Sequence, residues 1–146
     1  MATSTLVQFL AAGEAGDTSH RRQTETYFAG GTIAAGDVVA FDAGGQTNAD
    51  RALYVVQAAI TATGNGLAAG VALNDAASGE QVRVVVAGYA EDVNCDAGVA
   101  AGAVVNAAGT TAGQVEAALA TDTVVFGVTL EAEAGGTVDM IVYKRF

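Results

Sequence analysis

A chain of 146 residues has the length of one domain or of two small, closely packed halves. Its 19 glycines without proline and its 51% apolar content, mostly Ala and Val, exclude collagen for want of a Gly-x-y period and argue against disorder. A net charge of −10 runs against general binding of nucleic acid or of an anionic membrane, and favours solubility with mutual repulsion between copies.

Residues 1–30 stand apart. They hold the single histidine, His20, the pair Arg21 and Arg22, and a weakly periodic polar stretch from Gly13 to Thr26. They read as an extended arm with one strand around Tyr27 and Phe28. The apolar run Leu6–Ala12 is short and lacks the basic start of a secretion signal, so synthesis and folding in a cytoplasm is the expectation.

From Thr32 onward short strands alternate with glycine turns. Asp37–Phe41 reads as a strand ending at Asp42-Ala43-Gly44-Gly45. Ala52–Ala62 fits a buried strand or a short helix, and the glycines at Gly64 and Gly66 favour the strand. Gly70–Leu73 is a short strand and Asn74–Glu80 a turn. Gln81–Val86 alternates, with Val82, Val84 and Val86 on one face, and Gly88 is expected to close it. Val104-Val105 leads to a turn at Ala108-Gly109. Thr123–Leu130 is expected to place Val124, Phe126, Val128 and Leu130 on one face. Glu131–Gly136 turns, and Val138, Met140 and Val142 alternate to the C-terminus. Short strands at this turn spacing predict an all-β fold, a compact sandwich or barrel.

The same phrases occur twice. Ile33-Ala34-Ala35-Gly36-Asp37-Val38-Val39 is echoed by Val99-Ala100-Ala101-Gly102-Ala103-Val104-Val105. Val56-Gln57-Ala58-Ala59-Ile60 is echoed by Val115-Glu116-Ala117-Ala118-Leu119, and Gly70-Val71-Ala72-Leu73 by Gly127-Val128-Thr129-Leu130. Each ends in a glycine turn and a valine-rich run. Recurrence of landmarks in one order points to a duplicated β-unit. The expected organisation is an arm over 1–30 and a β-domain over 31–146, with similar halves of about 31–88 and 97–146.

Residues able to carry chemistry are sparse. His20, the one candidate base of a hydrolase triad, has no Ser or Cys nearby in a recognisable elbow. Cys95 is flanked by acids that raise a thiol pKa, and a lone cysteine forms no internal disulfide. Asp92–Asp96 lacks the closing glutamate of a calcium loop. Glu131 and Glu133 are spaced to pair at a strand end, although exposed carboxylates are the rule in an acidic protein. Gly64-Asn65-Gly66 lacks the spacing and lysine of a phosphate loop. No enzyme, metal or cofactor is expected. The bases lie instead at the ends: between Gly36 and Tyr143 there are thirteen acids but only Arg51 and Arg83, while Arg21-Arg22 and Lys144-Arg145 flank that body. Basic ends either dock on an acidic surface or are simply solvated.

The ordered phrases Ala35-Gly36-Asp37-Val38-Val39, Gly70-Val71-Ala72, Gly79-Glu80-Gln81-Val82 through Gly88, a second Ala101-Gly102 with Val104-Val105, and the closing Gly127-Val128 to Val142 resemble those of small tailed-phage capsid decoration (cement) proteins, over about residues 31–146. The resemblance implies a β-protein bound in many copies, commonly as trimers, to the outside of a phage head, clamping major capsid subunits against internal DNA pressure. The implied partners are the major capsid protein and further copies, with no nucleic acid and no membrane, and the implied location is the outer surface of the virion. By residue type, Arg21, Arg22, Tyr27, Phe28, Tyr143, Lys144, Arg145 and Phe146 are the expected interface, unless the aromatics belong to the core. The alternative is a glycan- or fibre-associated β-module, for which four Tyr and no Trp are a poor supply of sugar platforms.

Overall fold

The computed structural model describes residues 22–47, 49–58, 67–107, 111–119 and 125–143. Among them every regular element is a strand: β1 (Arg22–Ala29), β2 (Val38–Phe41), β3 (Tyr54–Gln57), β4 (Ala68–Ala72), β5 (Gln81–Asn94), β6 (Val104–Asn106), β7 (Glu116–Ala117), β8 (Gly127–Thr129) and β9 (Thr137–Val142). The all-β expectation is met. Of the segment read as an arm, residues 22–29 are β1 and residues 1–21 lie outside the described residues. Of Ala52–Ala62, only Tyr54–Gln57 forms strand, and the stretch from Ala59 onward also lies outside them.

The strands lie in the order β1-β3-β2-β4-β5-β9-β8-β6-β7, and β1 returns to pair with β5. The order is a palindrome about the β5–β9 seam. The first five strands close on themselves, because β1 runs antiparallel to β5 from Arg22↔Gly88 to Phe28↔Gln81 and parallel to β3 at Phe28↔Tyr54. A parallel bridge between Cys95, just past β5, and Val115, just before β7, closes the circuit of β5, β9, β8, β6 and β7. The molecule is thus two small barrels sharing one strand, an arrangement that leaves few unpaired edges.

The duplication holds through the pairings at the heart of each barrel. Val38↔Val71 and Val39↔Gly70 in the first barrel recur as Val104↔Val128 and Val105↔Gly127 in the second. Tyr27↔Val82 and Phe28↔Gln81 recur as Val93↔Val138 and Asn94↔Thr137. The parallel pair Ala29↔Val55 recurs as Cys95↔Val115. The repeat therefore starts before the phrase that announces it in sequence: Tyr27-Phe28-Ala29 stands where Val93-Asn94-Cys95 stands later. One echo is out of register. The Ala58 N–H bonds to Val38 O (2.8 Å) and the Ala118 N–H to Val104 O (2.8 Å), so Ala58 matches Ala118 and not Ala117.

Two expectations are corrected. Gly88 does not end its strand, for β5 continues to Asn94. With φ at 90° and with Arg22 on one side and Val142 on the other, Gly88 is where β5 passes from the first barrel to the second. The glycine bends the strand without breaking it. Nor do Phe126, Val128 and Leu130 share one face, since Phe126 is buried whereas Val128 is half-buried and Leu130 is 52% exposed; Val124 lies outside the described residues. The inward positions of β8 are Gly127 and Thr129. Gly127 lies against Ile141 O, and the Thr129 hydroxyl donates to Ala100 O (2.7 Å) while accepting from the Ala103 N–H (2.9 Å). Val128 is thereby turned outward. The adjacent valine runs behave as expected: Val82, Val84 and Val86 are buried, as are Val138, Met140 and Val142.

Two core clusters fill the molecule. One lines the first barrel with Tyr27, Ile33, Val39, Val55, Val82, Val84 and Val86. The other joins the second barrel's interior (Val93, Val105, Val115, Phe126, Val138, Met140) to the outer face of the first (Val38, Val71, Val85). The two interiors exchange volume at matching places. Tyr27, Phe41 and Ala69 in the first correspond to Val93, Ala107 and Phe126 in the second, so large and small side chains trade places between the repeats.

Candidate functional site

The expected interface residues fall into two places. Arg22 and Val142 are the two lateral partners of Gly88, so β1 begins and β9 ends on either side of one point of β5. Two strand spacings make that separation about 10 Å. Arg22 and Tyr143 mark this junction, and Tyr143 is 41% exposed with its N–H bonded to Phe126 O at 2.9 Å. The guanidinium of the half-buried Arg22 lies 3.8 Å from the carboxylate of the exposed Glu91. Arg21, Lys144, Arg145 and Phe146 lie outside the described residues. The sequence attaches them directly to Arg22 and Tyr143.

Tyr27 and Phe28 sit at the far end of β1 and point oppositely, as pleating requires. Tyr27 is buried, meets Phe41 edge-on at 5.6 Å between ring centres, and donates its hydroxyl to Glu25 at 2.6 Å. Burial, then the Glu25 hydrogen bond and charge, push its pKa well above the usual tyrosine value. Tyr27 belongs to the first barrel's core. Phe28 faces out and stacks at a tilt on Tyr54, 5.5 Å away, beside the exposed Leu53.

The groups with candidate chemistry are occupied in holding turns. Glu133 accepts from the N–H groups of Gly136 (2.8 Å) and Gly98 (3.3 Å), which lower its pKa. Glu131 accepts from the Asp139 N–H at 3.3 Å. Asp139 in turn accepts the Tyr89 hydroxyl at 2.5 Å, which raises that phenol to about 12. Cys95 is buried, and its thiol is pushed up to about 11, by burial first and then by Glu133 and Asp96. No group of three or more His, Cys, Asp or Glu is gathered as a metal site among the described residues. His20 and the Gly64–Gly66 turn lie outside them.

Two features escaped the sequence reading. Asp37 is buried at the joint of the barrels, where its carboxyl oxygens accept from the Ala34 N–H (2.8 Å), the Gln57 amide (2.7 Å) and the Asn94 amide (2.9 Å). Its counterpart is Ala103, so the difference between the repeats was the available signal. The second feature is a set of outward apolar residues on the second barrel: Val104, Val125, Leu119 and Leu130 are all exposed. The period-two pattern alone could not say which face of β6 and β8 is covered.

No protein-family profile and no curated protein matches the chain. Among solved structures, the fold is similar to that of the N base of head fiber gp8.5 in bacteriophage phi29. The match has a TM-score of 0.56 and 17% sequence identity, covering 85% of this chain and 98% of that one. The chain shares its fold with the base of a phage head fiber.

Proposed function

We propose that this protein is a structural component of a phage head, bound in many copies to the outer capsid surface, where it bridges and stabilises neighbouring major capsid subunits. One observation carries the reading: the fold matches a head-fiber base over nearly the whole of both chains at an identity too low for local sequence likeness to explain. The duplicated phrases resembling those of cement proteins support it. Among the described residues, the hydrogen-bonded carboxylates of Glu131, Glu133 and Asp139 and the buried thiol of Cys95 fit a structural role as well. The attachment surface in this reading is the junction where β1 begins and β9 ends on either side of β5, marked by Arg22 and Tyr143, with Arg21, Lys144, Arg145 and Phe146 next to them in sequence. Trimers on the shell fit this role.

The test is quantitative mass spectrometry of washed virus particles, counting this chain against the major shell protein, followed by add-back to particles stripped of it. A fixed stoichiometric ratio and restored resistance to heat or chelator support stabilisation. Absence from washed particles refutes the virion role. The word fiber in the matched structure favours a second reading, in which the chain anchors a projection instead of clamping the shell. In that case stripped heads keep their stability and lose only a projection in electron micrographs.

A further inference from the structure

Each barrel carries an outward row across its strands, Val38–Val71–Val85 in the first and Val104–Val128–Ile141 in the second, matched pair for pair. Their fates differ. The first row is at most 1% exposed because the second barrel covers it. Gly113 O accepts from the Val38 N–H (2.7 Å) and the Gly113 N–H donates to Ala58 O (3.0 Å). Asn94 donates its N–H to Gly36 O (2.9 Å) and its amide to Asp37 (2.9 Å). Among the described residues the second row has no such cover: Val104 is 43% exposed, and Val128 and Ile141 are half-buried. The neighbouring turn repeats the contrast. A Cβ on Gly36 would strike Asp92 O at 2.4 Å, whereas one on its counterpart Gly102 meets nothing within 4 Å.

The covering edge also has its counterpart. Asn94 and Gly113 of the second barrel correspond to Phe28 and Leu53 of the first, and both of these, with Tyr54 behind them, face solvent. In the first barrel the Phe28 N–H bonds to Leu53 O (2.8 Å), so this edge offers apolar side chains and not free backbone groups. One end of the molecule thus presents an apolar face that its repeat covers elsewhere. The other end presents an apolar edge homologous to the cover. Exposed apolar surface of this kind marks an interaction site.

We propose that the Val104–Val128–Ile141 face of one copy receives the Phe28–Leu53–Tyr54 edge of a second copy, continuing head to tail between molecules the contact that the two barrels make within one. Such a contact joins two different patches, so it propagates into a closed ring or a chain. It does not rest on the virion reading, since it is expected of copies free in solution.

The test is sedimentation velocity of the full chain up to about 1 mM, at about 0.15 M salt to screen the acidic bodies. Val104→Glu and Leu53→Glu are compared, with circular dichroism and melting as controls for folding and Val125→Glu as a substitute should the first variant misfold. Concentration-dependent association is expected, weakened at least about tenfold by either substitution. Mixing the two variants should restore a heterodimer and nothing larger, because one intact face then meets one intact edge. A monomer throughout the concentration range overturns the proposal. So does association indifferent to both substitutions, whether it depends on residues 1–21 or not. Loss in both variants without rescue on mixing shows a self-complementary contact and overturns it as well.

Discussion

Gly70 and Gly127 occupy the same place in the two repeats for the same reason. A Cβ on Gly70 would lie 2.0 Å from Val85 O, and one on Gly127 would lie 2.3 Å from Ile141 O, so the neighbouring strand passes where any side chain would be. Backbone cannot yield as a flexible side chain does. Gly70→Ala and Gly127→Ala should each cost about 3 kcal/mol or more in urea unfolding. Gly44→Ala, where nothing lies within 4 Å, should leave the midpoint almost unchanged. Equal tolerance at all three sites would refute the close approach. Cys95 supports a second residue-scale expectation. Its folded pKa of about 11 lies above the ordinary 9.0, so folding favours the neutral thiol. That contribution is complete below pH 9 and is lost as pH rises to about 11. Tyr89, raised from 10.0 to about 12, adds a loss over the next stretch of pH. Melting temperature should fall across pH 9–11 in the wild type, and the slope should be shallower in Cys95→Ala. Parallel slopes would mean that the thiol is not held neutral by the fold.

At the scale of elements, the shared strand couples the barrels. β5 gives its first half to one circuit and Val93-Asn94 to the other, so neither circuit closes without it. Residues 97–146, the second half as its sequence phrases delimit it, lack that strand and should be unfolded alone by circular dichroism. Extending the fragment back to Gln81 should restore the β signal and a cooperative melt. A folded 97–146 fragment would show that the shared strand is dispensable. The same strand explains which parts of the fold were legible in sequence. Val82, Val84 and Val86 alternate against a single core, so period two identified them. The Ala-Gly-x-Val-Val and Gly-Val-x-Leu phrases were visible because both copies keep a positive-φ turn at Gly36 and Gly102 and a crowded glycine at Gly70 and Gly127. Tyr27-Phe28-Ala29 and Val93-Asn94-Cys95 share a backbone role and almost no side chains, because Tyr27 fills space that Phe126 fills in the other barrel. Core volume is conserved across the set of positions and not at each one, so this equivalence is carried by hydrogen bonds and hidden in the letters. Gly88 misled for a related reason: glycine marks a stop and a bend alike. Of the expected interface, Phe28 and Tyr143 are surface residues and Tyr27 is not, a distinction set by strand phase that composition cannot give.

For the whole molecule, charge and topology act together. The net charge of −10 is carried by a body whose strands hold few bases, whereas Arg21-Arg22 and Lys144-Arg145 adjoin the two strand ends that flank Gly88. Those ends lie about 10 Å apart, close to the Debye length of roughly 8 Å at physiological salt, so they reinforce one another in attracting an acidic surface. The acidic bodies meanwhile repel, which weakens contacts between unbound copies most at low salt. In the capsid-binding reading, affinity for heads should therefore fall as salt rises, and it should do so through the association rate. Reversing Arg21, Lys144 and Arg145 to Glu should slow binding at least tenfold and flatten the salt dependence (about 1.4 kcal/mol in affinity), with the melting curve unchanged because the buried core clusters are built from other residues. Measuring association with purified heads across a salt series separates the two ends of the molecule. If the triple variant binds normally while Leu53→Glu does not, the attachment surface lies at the Phe28–Leu53 edge, and the basic ends are merely solvated.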